Sequence, residues 1–148
     1  MSYTIVDELA ASQQLIAAMI RLAADDHAAR VGAWSLRDIA AHLAASEREA
    51  FEPRIRAIAS GENPQFDLYN NDETDFSGVH LEEALDEWAE TRRRLLDFVR
   101  GLSDEERERT GHHESYGDIT VERYLRIALD HDRDHLRGLE RVASGHTR

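Results

Sequence analysis

Apolar residues recur along the chain at intervals of three and four, the spacing that places them on one face of a helix. Ile5, Leu9, Ile16, Met19 and Ala23 form the first stripe, with Ser12 in register and Val6, Leu15, Ile20 and Leu22 widening it; they predict a helix over roughly residues 4 to 24. A second stripe, Leu36, Ile39, Ala40, Leu43, Ala50, Phe51, Ile55 and Ile58, begins after Ser35. Asp38, three residues beyond that serine, suits a cap whose acid faces the positive end of the helix dipole. Pro53 is expected to kink this helix, because it removes a backbone donor and crowds the preceding turn, and Gly61 with Pro64 closes it. The third helix follows Gly78, carries Leu81, Ala84, Leu85, Trp88, Leu95, Leu96 and Val99, and stops at Gly101. Ser103 and Glu106 then form a second capping pair over a short acidic turn. The last helix runs from Thr120 to Gly145 on Val121, Tyr124, Leu125, Ala128, His131, His135, Leu139 and Val142.

Four such helices predict an all-α four-helix bundle forming a single domain over residues 1–148, with two long connectors at 60–79 and 101–120. A helix of about 23 residues is about 35 Å long and 20 extended residues span about 60 Å or more, so either connector is able to cross the bundle. The link from 25 to 35 is shorter and makes the first two helices antiparallel neighbours. At 148 residues the chain can bury one substantial core without staples. It has no cysteine, which excludes disulfides, thiolate metal sites and a cysteine nucleophile. No signal peptide or membrane-spanning stretch is visible, and a cytoplasmic protein is expected. Eighteen arginines against 30 acids leave a net charge of −12, which repels phosphate backbones and anionic lipids, so neither nucleic acid nor membrane is an expected partner.

Chemistry concentrates in Asp130-His131-Asp132-Arg133-Asp134-His135, where two histidines four residues apart share a helix face. Spacing alone is weak, since 8 histidines in this chain give roughly 0.4 such pairs by chance. Both, however, fall on the apolar stripe, where buried imidazoles need partners. His42 lies on the apolar side of the second helix between Ile39 and Leu43 and supplies a third ring. Three imidazoles with an open position are the ligand set of a catalytic zinc site, and core histidines satisfied by Asp or backbone groups are the competing reading. Around them, Asp130, Asp132 and Asp134 are expected as solvated partners of Arg133 and Arg137, and Asp38 as a cap residue. Glu47 and Glu49 are assigned to a solvated face, and Arg92, Arg93 and Arg94 to surface pairing with Glu87 and Glu90. His112 and His113 are expected in an exposed loop and Trp34 and Trp88 in the core. No Glu-x-x-His pair of the di-iron kind and no His-Glu-x-x-His motif occurs. The dipeptide His131-Asp132 also occurs in helical phosphohydrolases, but that reading leaves His135 unexplained.

Taken together, Trp34-Ser35-Leu36-Arg37-Asp38-Ile39-Ala40-Ala41-His42-Leu43, the following Glu47 and Arg48, Tyr116-Gly117-Asp118-Ile119-Thr120-Val121, and His131-Asp132-Arg133-Asp134-His135-Leu136 resemble the DinB-like metalloprotein superfamily, and the resemblance covers most of the chain. It implies a four-helix fold and metal ligands at His42, His131 and His135. It also implies a transferase or isomerase acting with a low-molecular-weight thiol. The expected cofactor is a divalent transition metal, zinc ahead of nickel or iron, with the thiol as cosubstrate and a small molecule as substrate. Metal-dependent hydrolysis and a non-catalytic metal- or ligand-binding stress-response module are the alternatives. The broad apolar surface of the first helix further suggests a homodimer, unless the 60–79 connector covers it.

Overall fold

The computed structural model describes residues 4–26 and 28–144. Helix α1 (Ile5–Ala23) starts at Thr4, whose hydroxyl accepts the Asp7 N–H at 3.2 Å. A hairpin follows, β1 (Arg30–Val31) against β2 (Trp34–Ser35), turning on Gly32-Ala33. Gly32 has φ +61°, a conformation that side chains resist and two-residue hairpin turns require. The second predicted helix is three segments in unbroken succession: α2 (Leu36–Ser46), a π-helical stretch (Glu47–Phe51) and α3 (Glu52–Ala59). The distortion expected at Pro53 therefore occupies the turn before it. The proline offers no N–H to that turn, which widens so that the Glu52 N–H reaches the Glu47 carbonyl five residues back.

Helices α4 (Leu81–Arg100), α5 (Asp104–Glu108) and α6 (Val121–Ala143) complete the helical set. Both capping pairs read from the sequence are reciprocal boxes: Ser35 with Asp38, and Ser103 with Glu106. The predicted stop at Gly145 lies outside the described residues. The connectors are more structured than plain links. Strand β3 (Gln65–Phe66) runs parallel to β4 (Thr110–His113), which pairs antiparallel with β5 (Gly117–Thr120), and β5 leads straight into α6. The four-helix bundle thus carries two small sheets that the all-α expectation did not include. Strands of two to four residues are too short to show an alternating pattern.

Helix directions follow from which residues share each half of the core. One half joins Ile5 and Leu9 of α1 to Ile55 and Ile58 of α3, Leu95 and Val99 of α4, and Val121 and Leu125 of α6. The other joins Ile16 and Ile20 to Leu36, Ile39 and Leu43 of α2, Leu85 and Trp88 of α4, and Leu139 of α6. Helices α1 and α6 are therefore parallel to each other and antiparallel to both α2–α3 and α4. It follows that the 60–80 connector travels the length of the bundle, whereas 101–120 remains at one end. Gly138 lets the β1 hairpin lie against α6, since a Cβ there would meet Val31 Cγ1 at 2.7 Å. Leu15 and Leu22, counted above as widening the first stripe, are 49% and 83% exposed, so the connector does not cover them.

Candidate metal centre

Two helices supply three histidines to one cleft. His42 comes from the second turn of α2, and His131 and His135 from successive turns of α6. One ring nitrogen from each lies within 4.8 Å of those of the other two. His131 Nε2 is 3.1 Å from His42 Nε2 and 3.3 Å from His135 Nε2, so all three rings turn the same atom inward. The sequence stripe thus selected residues that the fold does bring together.

The rings are held from outside. Asn71 Oδ1 lies 2.5 Å from His42 Nδ1; a carboxamide oxygen cannot donate, so the proton is on Nδ1 and Nε2 presents a lone pair to the cluster. The Asn71 amide in turn donates to Tyr69 Oη at 2.9 Å and Ser46 Oγ at 3.2 Å, and Tyr69 donates to Glu49 at 2.8 Å. Trp34 is nearly parallel to the His135 ring, 6.2 Å away, and Phe51 sits 5.6 Å from His131. Burial, reinforced by the neighbouring imidazoles, pushes His131 down to about 4 and His135 down to about 3, and it lowers His42 as well. All three rings are thus neutral near pH 7.

This leaves a proton shortage. With the His42 nitrogen committed as an acceptor, an N–H on His131 can serve only one neighbour in full. An N–H on His135 leaves the lone pairs of His42 and His131 facing each other. A fourth body carrying positive charge satisfies all three nitrogens at once, and the donor set fits a divalent transition ion with three protein ligands.

Behind the rings, the structure corrects three assignments. Glu47, Arg92 and Asp132, expected at the surface, form a buried ionic triad in which Glu47 and Asp132 are each 1% exposed. Arg92 donates to Glu47 at 2.6 and 3.0 Å, to Asp132 at 2.8 and 3.2 Å, and to the Leu9 carbonyl at 2.8 Å. These two carboxylates raise the already high basicity of Arg92, and Ser12 donates to Asp132. Several other charges behave as expected: Arg93 pairs with Glu90, Arg137 with Asp134, and Asp38 caps α2. Arg133 pairs with Glu8 instead of an α6 acid.

The cleft outside the rings has a volume of about 770 Å³. Its walls include Trp34, Phe51, Tyr69, Tyr116 and Tyr124, with Arg54 and Arg123 toward one side and Asp130 and Asp134 beside the histidines. Trp88 is in the core as expected, whereas Trp34 is half-buried at the cleft. His112 and His113 belong to β4 rather than to a loop; His112 is exposed, and His113 is buried and lines the cleft.

A four-helix bundle presenting three convergent, neutral imidazoles at the floor of an aromatic cleft defines a recognisable class of scaffold. The chain belongs to the DinB superfamily, whose sequence profile matches residues 8–139. Its fold is similar to that of YfiT from Bacillus subtilis, described as a probable metal-dependent hydrolase with an unusual four-helix bundle topology. The TM-score is 0.76 at 20% identity, covering 97% of this chain and 89% of that one. No curated protein matches the chain significantly.

Proposed function

We propose that this protein is a mononuclear metal-dependent enzyme in which His42, His131 and His135 hold a divalent transition ion, zinc ahead of nickel or iron. Its reaction is the attack of an exogenous low-molecular-weight thiol on an electrophilic small molecule in the cleft. The observation that carries this reading is the convergence of three neutral Nε2 atoms that cannot satisfy one another. A divalent ion bound there supplies Lewis acidity, which makes a coordinated thiol or water nucleophilic near neutral pH.

The chain's own residues do the positioning. Asn71 fixes the His42 tautomer, burial keeps His131 and His135 unprotonated, and Trp34 and Phe51 confine the rings. The chain contains no thiol, so a sulfur nucleophile must enter from solution. A cleft of about 770 Å³ has room for such a molecule beside an electrophile. Hydrolysis is the second reading. It is favoured by Asp130 and Asp134, carboxylates lining the cleft next to the histidines and suited to accept a proton from water, and by the description of YfiT.

Elemental analysis of protein purified without an affinity tag, followed by assays with a panel of electrophiles, tests both. The expected result is a stoichiometric transition metal and thiol consumption that depends on it. Acid release without added thiol selects hydrolysis instead, and metal-free protein that rejects added zinc overturns the site.

A further inference from the structure

Arg54 is a cation of the cleft that forms no ion pair among the described residues. Its Nη1 donates to the Asp67 backbone carbonyl at 2.9 Å and to the Tyr124 hydroxyl at 3.2 Å, and its guanidinium lies 4.9 Å from the centre of the Phe66 ring. Every one of these partners is neutral. Arg123, also lining the cleft, lies 5.9 Å from the centre of the Tyr116 ring. Among the described residues neither arginine forms an ion pair, whereas surface arginines such as Arg48, Arg93 and Arg137 do. Glu114, next in sequence to the cleft-lining His113, has its carboxylate engaged by the Leu68 N–H at 2.6 Å. In a chain of net charge −12, a half-buried guanidinium held rigid by neutral groups and facing a cleft is a prepared anion receptor.

From these contacts we infer that Arg54, assisted by Arg123, docks a carboxylate of the small molecule that reacts in the cleft. This rests on reading the three-histidine cleft as the reaction site. In the metal-free protein charge sets the orientation, because Asp130 and Asp134 repel an anion from the histidine side. Length follows from α6: Tyr124, which holds Arg54, stands seven residues before His131, or about 10 Å along the helix. The substrate class is therefore a carboxylate whose reactive group lies about that far from the acid, with an apolar body against Phe51 and Tyr124.

Calorimetric titration of metal-free and zinc-loaded protein with 4-phenylbutyrate, its methyl ester and phenyl phosphate tests the assignment. In metal-free wild type the acid should bind about tenfold or more tightly than the ester. That ratio should fall to about one in Arg54→Leu, survive in part in Arg54→Lys, and be unchanged in Arg126→Leu. Equal binding of acid and ester by wild type, or a ratio retained in Arg54→Leu, overturns the proposal; preference for phenyl phosphate over the acid overturns the carboxylate assignment. Because the metal-free titration does not depend on the ion, a protein that fails to load zinc but keeps the ratio separates failure of the metal site from failure of this one.

Discussion

Asn71 and His42 stand 29 positions apart, one in the connector that crosses the bundle and the other inside α2, yet the amide oxygen of the first lies 2.5 Å from the Nδ1 of the second. Orientation of a ligand ring by such an outer contact typically sets affinity by 10–100-fold. Asn71→Leu is therefore expected to weaken zinc binding by about 10-fold or more in a chelator competition, with helical content unchanged. Equal affinity in the two proteins would mean that α2 alone aims His42.

Removing His135 takes away one of three proposed ligands, whereas exposed His112 faces Asp118 on the adjacent strand β5 and contributes nothing to the cluster. After dialysis against a mild chelator, His135→Ala should be largely metal-free and His112→Ala should match wild type. Circular dichroism of the metal-free wild type should remain helical, since both halves of the core are apolar without the ion. Equal metal content in the two variants sinks the ligand assignment.

Low pH should destabilise the metal-free protein through the same rings. His131 and His135 are held down to about 4 and about 3, against 6.5 for a free imidazole. Below about 6.5 the unfolded chain binds protons that the folded one refuses, so the stability is present above that pH and drains away as pH falls toward the folded values. Urea unfolding at pH 7.5 and pH 5 should show a larger loss for wild type than for His135→Leu. A loss equal in both would place the acid sensitivity elsewhere.

The triad behind the site makes a harsher demand. Arg92→Met leaves Glu47 and Asp132 buried without their shared cation, and the expected cost is about 3–5 kcal/mol in chemical denaturation. Replacing all three by apolar residues of similar volume should recover most of that loss, because the desolvation penalty disappears with the charges. A triple variant as unstable as the single one would show that the triad shapes the fold beyond pairing its own charges.

The helices and the histidine cluster were legible in one dimension because each depends on a period, and that period survives packing. Ser35 and Ser103 were legible because a cap is a local event. Asn71 was not: it sits in Asn70-Asn71-Asp72 of a connector with no repeat, and its role exists only once that connector has crossed the bundle. The triad departs from the expectation that charged side chains face water. Yet each member interrupts an apolar stripe in register: Glu47 four after Leu43, Arg92 between Trp88 and Leu95, and Asp132 four after Ala128. Opposite charges occupying core positions on three helices were a readable sign of mutual neutralisation. The surface strands left no such mark, since β3 has two residues and pairs with β4 across more than forty positions.

Because α1 and α6 run in the same direction, Ile5 and Ala143 stand at opposite ends of the bundle. A circular permutation joining them would need a bridge of about 35 Å, the length of a 23-residue helix, and so about ten or more extended residues. The short linker that would serve an up-down-up-down bundle would tear one terminal helix from its groove. Conversely, two modules fused to the two ends would be held apart by the full length of the bundle, a rigid spacer whose middle carries the cleft.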